Sequence, residues 1–289
     1  MIVGFAPGGG TDLTARPVAQ KLSELLGQQV IVENRPGAAG NIATEQVVKA
    51  APDGYTLLMG TIAALAINPS LYGNLRFDPE TDLAPVIQVV DATNVLALHP
   101  SVPASSVNEL IALAREKSLS AGSSGIGATG HLSIELFNLM AGVKLVHVPY
   151  KGGGPAMADL VGGQVNLIFA TTASAIPHLK SGRIKGIAVT TAKRSALLPD
   201  LPTISEAGLD GFDANNWYGL VAPAKTPRAI IDQLNAEVTK ILNMPDVKTT
   251  LFNQGLDPAP GTPEQFGAYI RSERAKWAQV IKASGAKAE

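Results

Sequence analysis

Residues 5–22 read FAPGGGTDLTARPVAQKL, and the order of residue types in this stretch decides the fold class. The apolar run Ile2–Phe5 precedes three consecutive glycines. Val18, Leu22, Leu25 and Leu26 then recur at helical spacing, so a strand, a glycine loop and a helix follow in order. Pro17 is expected to kink that helix or restrict its first turn. Gly27 suits its C-cap.

The same alternation continues outward. QVIVEN (29–34) reads as the next strand, and RPGAAGN as a loop in which Asn41 caps the helix IATEQVVKAA. YTLLMG (55–60) is a third strand. Strand, helix, strand, helix, strand predicts a parallel sheet with right-handed crossovers. A second set follows VLALHP (95–100). Ser106 caps VNELIALAREK, with Glu109 completing a capping box. A helix over 131–140, the strand KLVHVPY, a second glycine loop KGGGPAMADLVGG and the strands VNLIFA and IKGIAVT come next. After YGLVAP (218–223) the chain is mostly helical. VLALHP and YGLVAP are both apolar runs closed by proline, and they read as two crossings between domains. The expected division is 1–98 plus 222–289 against 99–221, with a ligand cleft between the two.

The 289 residues carry a formal charge of −1, with no Lys/Arg-rich run. Nucleic acid is therefore an unsuitable partner, since neutralising phosphates takes a basic face. The absence of cysteine removes disulfides, thiolate metal sites and cysteine nucleophiles. No apolar run is long enough to span a membrane. The first strand is short, so its beginning is expected to be missing, and any targeting information would lie upstream of Met1.

Catalytic motifs fail on individual residues. In Gly4–Thr11 the position of the Walker lysine is glycine, so the point charge for terminal phosphates is missing. The GxGxxG pattern lacks its last glycine. GSSGIG (122–127) resembles a nucleophile elbow, but Ile126 or Ala121 stands where glycine is required. His131 and Glu135 share a helix face, yet an ordinary histidine at a helix start is the plainer reading. His99, His147 and His178 read as structural or solvated. No catalytic residue, metal site or cofactor is expected.

What remains is three Gly/Ser/Thr loops at helix starts: PGGGTD (7–12), SSGIGATGH (123–131) and KGGGPA (151–156). Helix starts offer unsatisfied N–H donors and about half a positive charge. They attract carboxylate, phosphate or sulfate. Tight βα turns account equally well for any one loop. A loop of this kind in each domain makes an anion clamp the stronger reading. Asp12 is expected to cap its helix first and to shape a ligand site second. Arg16 and Lys151 are the nearest cations.

GFAPGGGTDLTARPVAQKLSELLGQQVIVENRPGAAGNIATEQVVKAAPDGYTLLMG resembles the N-terminal part of the Bug-type solute-binding proteins, the extracytoplasmic receptors of tripartite tricarboxylate transporters. HVPYKGGGPAMADLVGGQVNLIFA, LKSGRIKGIAVT and LPDLPTISEAGLDGFDANNWYGLVAPAKTP continue the likeness over nearly the whole chain. The resemblance implies an α/β fold of two Rossmann-like domains, a type II periplasmic binding protein that closes like a flytrap. It implies a periplasmic, monomeric binder that hands a small organic acid to the membrane components of its transporter. It places ligand contacts on Phe5, Gly8, Gly9, Gly10, Thr11 and Asp12 of the first loop. In the second loop it points to Ser123, Ser124, Gly127, Thr129 and His131. Thr61 to Asn68 would form a wall, as would Ala170, Thr171, Thr172 and Trp217, although Trp217 also reads as packing. Many relatives carry Asp near the position of Ala170, where it can pair with a ligand ammonium. Its absence here points to a carboxylate without an amino group, aromatic or dicarboxylic. A sensor for a signalling partner is the alternative within the binding class; a transferase or hydrolase using His131 with Glu135 or Asp12 ranks below it.

Overall fold

The computed structural model describes residues 1–150 and 152–288. The chain separates into two compact units. The first holds residues 1–91 and 217–279 with the extreme C-terminus, and the second holds Ala92–Asn216 and Val280–Ala286.

The first unit opens with β1 (Ile2–Val3), α1 (Gly10–Leu26), β2 (Glu33–Asn34), α2 (Asn41–Val48) and β3 (Leu58–Thr61). A buried π-helical turn, Ala63–Ile67, leads into α3 (Asn68–Leu71), and α4 (Pro79–Asp82) precedes β4 (Leu83–Ala92). β1 lies between β2 and β3 and is parallel to both, as strand–helix alternation predicts. β2 is shorter than the run QVIVEN. Ile31 is 65 % exposed, because this is the edge strand and one side of it meets water.

In the second unit β5 (Asn94–Leu98) and α5 (Val107–Glu116) are followed by β6 (Ser120–Ser123), α6 (Thr129–Ala141) and β7 (Val146–Pro149). Then come α7 (Gly153–Val161), β8 (Leu167–Thr171), α8 (Thr172–Lys180) and β9 (Lys185–Val189). The sheet order is β7-β6-β8-β5-β9, with β6 parallel to β7 and β8. One face packs Val95, Ala97, Ile168 and Ala170 against Met157 and Leu160 of α7. On the other, Phe137 of α6 meets Phe169 and Phe212 at ring-centroid distances of 6.0 and 6.5 Å. Phe137 is fully buried, and truncating such a side chain to alanine costs about 3–5 kcal/mol.

The chain returns to the first unit along β10 (Asn216–Pro223), which runs antiparallel to β3. α9 (Arg228–Asn243), α10 (Pro245–Asn253) and β11 (Leu256–Pro258) follow in it, and α11 (Pro263–Ser284) belongs to it as far as Gln279, its last turn counting with the second unit. The units divide at 91/92 and 216/217, earlier than 98/99 and 221/222. VLALHP is not a crossing. Its apolar residues form β5, hydrogen-bonded on both sides within the second sheet, by β8 and by β9.

Local signals fared unevenly. Gly27 is left-handed at φ 64° and ends α1, and Pro17 sits within α1 without ending it. Ser106 accepts the Glu109 N–H, while Glu109 reaches back to Ser105 rather than to Ser106. Asn41 does not cap α2. It is the first helical residue, and its side-chain oxygen accepts from Asn68 at 2.6 Å.

Candidate anion-binding loops

The loop between β1 and α1 is built around Asp12, whose side chain is 2 % exposed. Gly8 donates its N–H to Oδ2 at 2.9 Å, Arg16 donates Nε–H and a terminal N–H at 2.8 Å each, and Asn34 donates to Oδ1 at 2.9 Å. Asn34 also donates to the Phe5 carbonyl, which ties the loop's two ends together. Burial opposes ionisation of Asp12, but the Arg16, Gly8 and Asn34 hydrogen bonds outweigh it and hold the carboxyl below its ordinary range. The negative charge is thus spent inside the loop, with Arg16 as its counter-ion.

Gly9 is the N-cap of α1, with extended dihedrals (φ −80°, ψ 165°), and no side chain caps it. Gly8 before it is left-handed at φ 79°. Gly8 and Gly9 are exposed. Gly10 is required by a neighbour: a Cβ there would come within 2.6 Å of the Tyr218 hydroxyl. Gly10 and Thr11 open α1, where helical N–H groups have no carbonyl partner one turn earlier.

The loop between β6 and α6, in the other unit, has the same construction. Gly127 is left-handed at φ 82°, and the N-cap Ala128 is extended (φ −70°, ψ 156°) with no side-chain cap. The third residue of the helix, His131, accepts the Gly127 N–H on Nδ1 at 3.2 Å. Asp12 accepts the Gly8 N–H from the same helix position. Each loop therefore combines a left-handed glycine, an uncapped extended residue and a third helical residue that reaches back. Glycine and alanine at the N-cap leave the first-turn donors uncovered. Thr129 and Gly130 supply the next two, and Gly130 lets α6 approach β8, since a Cβ there would stand 3.0 Å from the Phe169 carbonyl oxygen.

Four polar side chains, Ser123, His147, His131 and Glu135, cluster at the second loop. Ser123, 2 % exposed, places Oγ 2.6 Å from His147 Nε2, and the Gly125 N–H donates to the same oxygen at 3.2 Å. His147 stacks on His131 with centroids 4.1 Å apart and planes 17° from parallel. Glu135 lies 3.7 Å from His131 Nε2. Burial pushes His131 down to about 4, aided by the neighbouring His147. His147 is likewise pushed down to about 4 by burial. Both rings are neutral near pH 7. The pairing was not visible in the sequence, where the two histidines are far apart. The available signal was strand alternation: His147 is opposite Ala121, on the face that also carries Ser123. Ser124 is exposed, and its carbonyl accepts from Gly152, which caps α7. Lys151 lies outside the described residues.

The other expected contacts are more enclosed. Thr61 is 5 % exposed and takes the Ala64 N–H at 3.5 Å, within the buried segment 61–68. Asn68 is fully buried and bonded to Asn41 and the Ala39 carbonyl. Ala170 packs in the core of the second unit, and the Thr172 hydroxyl is spent on the Thr93 carbonyl at 2.6 Å. Thr171 is half-buried and paired with Ser174 at 3.0 Å. Trp217 is fully buried against Phe266 and Tyr269, at 5.5 and 5.6 Å between centroids. That surrounding suits its packing reading better than a role over a ligand. Among the described residues no helix is long and apolar enough to cross a membrane.

The family model described as "Tripartite tricarboxylate transporter family receptor" matches residues 14–286. Protein BugT of Bordetella pertussis is 38 % identical over 99 % of this chain and 89 % of its own. Among solved structures, R. palustris Rpa4515 with adipate is 40 % identical, with a TM-score of 0.92 over 98 % of this chain and 96 % of that one. MatC from Rhodopseudomonas palustris with bound malate is 32 % identical, with a TM-score of 0.89 over 97 % of each chain.

Proposed function

Because the chain belongs to the tripartite tricarboxylate transporter receptor family, a family of solute-binding receptors rather than enzymes, we propose that it captures a small organic carboxylate in the periplasm and presents it to the membrane components of such a transporter. The observation that carries this reading is the shared construction of the loops 5–12 and 123–131, one in each unit. Each leaves backbone donors of a helix start uncapped, and each already satisfies its own polar side chain internally. An incoming carboxylate would be held by several N–H groups together with the Ser123 hydroxyl. No lysine or arginine is needed if enough donors converge, because each charge-assisted bond is stronger than a neutral one.

The ligand we propose lacks an amino group. The stretch Ala170, Thr171 and Thr172 carries no carboxylate to balance an ammonium. The adipate and malate seen with two similar proteins support an unaminated dicarboxylate. The receptor is proposed to work as a monomer.

A thermal-shift screen of mono- and dicarboxylates beside aspartate and glutamate tests this. A ligand at 100 times its Kd adds about 2.7 kcal/mol of stability. An unaminated acid is expected to give the largest shift. Stabilisation by aspartate or glutamate alone would overturn the ligand class. No shift with any acid would overturn the carboxylate reading.

A further inference from the structure

We propose that His147 is a positioning residue for ligand capture: its Nε2–H donates to Ser123 Oγ and so turns the Ser123 hydroxyl proton toward the bound carboxylate. The proposal rests on the carboxylate reading above and adds to it a residue with no place in the loop.

Ser123 Oγ has three neighbours: His147 Nε2 at 2.6 Å, the Gly125 N–H at 3.2 Å and the Gly125 carbonyl at 3.2 Å. A hydroxyl donates once and accepts twice. If His147 donates through Nε2, Oγ accepts from His147 and Gly125 N–H, and its own proton goes to the Gly125 carbonyl. All three neighbours are then satisfied. If Nε2 instead accepts, the serine proton is consumed there, and the Gly125 carbonyl keeps only the Ala128 N–H, at 3.2 Å. The first arrangement leaves a donor that can swing from a neutral carbonyl to a charged acceptor, which binds it more strongly. The second leaves only oxygen lone pairs, which repel a carboxylate. Ser123 is placed to act on the helix start, with Gly130 packed against its Cβ.

His131 fixes the ring that does this. Its Nδ1 accepts from Gly127, so its proton is on Nε2, toward Glu135. Stacked on His147 at 4.1 Å, it restrains the tilt of that imidazole. Val148 of β7 and Tyr150 just beyond it pack on the opposite face, where the Tyr150 hydroxyl donates to Asp159 of α7. His131, stacked on it, is the titratable group recorded against His147 among the described residues, with Glu135 beyond it at His131 Nε2.

The test has two arms. Nitrogen-15 NMR of the histidine rings in the wild-type chain is expected to show His147 protonated on Nε2 at pH 7.5. Protonation on Nδ1 would overturn the proposal whether or not any ligand is in hand. In the second arm, isothermal titration uses the acid that stabilises the wild type most in a panel of two- to eight-carbon mono- and dicarboxylates. His147→Leu removes the donor and is expected to weaken binding about tenfold, the scale of one hydrogen bond to a charged group. His147→Gln keeps an N–H in reach and is expected to recover most of the affinity. Equal affinity of both variants and the wild type, with the fold intact by circular dichroism, would overturn the role. Equal loss in both would mean that the ring serves packing alone. If no acid in the panel binds the wild type, the carboxylate reading fails, and the NMR arm still decides the tautomer.

Discussion

His131 and His147 lie face to face, 4.1 Å apart and within 17° of parallel, beneath the loop that joins β6 to α6. Neither ring can take a proton cheaply: both are pushed down to about 4, first by burial. An unfolded histidine titrates near 6.5, so below that pH the unfolded chain binds more protons than the folded one. Stability is therefore fully present above about pH 6.5 and is lost as the pH falls toward 4. Glu135, raised by its own burial, works in the opposite direction and offsets part of the loss. Thermal unfolding followed from pH 7.5 to 4.5 should report a net decline of about 2–4 kcal/mol. His147→Gln should flatten the slope, and a slope unchanged by that substitution would contradict the pairing.

Asp12 is expected to matter for stability before it matters for recognition. Asp12→Ala removes the acceptor of the Gly8 N–H, costs the Asn34 amide one of its two acceptors and leaves Arg16 only the Asn34 side-chain oxygen. The expected loss is about 1–3 kcal/mol in urea unfolding at neutral pH. Wild-type Asp12 is lowered in the fold, so its contribution is present at neutral pH and disappears as the pH falls through the acid range. The wild-type excess over the variant should therefore shrink in acid.

Two adjacent glycines should respond differently to substitution. Gly9 has an extended backbone open to any residue, and a Cβ there would meet only the Ala6 carbonyl, at 3.5 Å. Gly9→Val should leave stability within about 0.5 kcal/mol while blocking the uncapped helix start, so affinity falls at least about tenfold. Gly8 is left-handed, and Gly8→Val should cost about 1–2 kcal/mol of folding stability. Full affinity in Gly9→Val would remove the first loop from the site.

Ala38 and Ala39 are both left-handed, at φ 47° and 50°, in the turn before α2. Side chains with a Cβ pay for that conformation. Ala39→Gly should relieve it and raise stability by about 0.5–1 kcal/mol in chemical denaturation. A loss of stability would show that the strain is absent.

The alternation around FAPGGGTD was enough to place β1, α1 and the parallel neighbours of β1, because period and glycine position are local properties. The capping of α5 by Ser106 was legible for the same reason. The domain boundary was not. An apolar run closed by proline looks the same inside a sheet as between two sheets, and only the pairing of β5 with β8 and β9 separates the cases. His147 was missed because its partners come through strand register and helix packing, neither of which its neighbours in sequence encode. The sequence leads one to expect Asp12 to cap its helix first and to shape a ligand site second. Its neutralisation by Arg16, one helical turn on, follows from the ordinary spacing of side chains on a helix.

Hydrogen exchange of the wild-type chain, with and without its tightest-binding carboxylate, tests the central claim most directly. Amides in both 8–12 and 123–131 should gain protection together, with the same dependence on ligand concentration, while α9 and α10 stay unchanged. Protection confined to one loop, or appearing in neither, would contradict a carboxylate held by both.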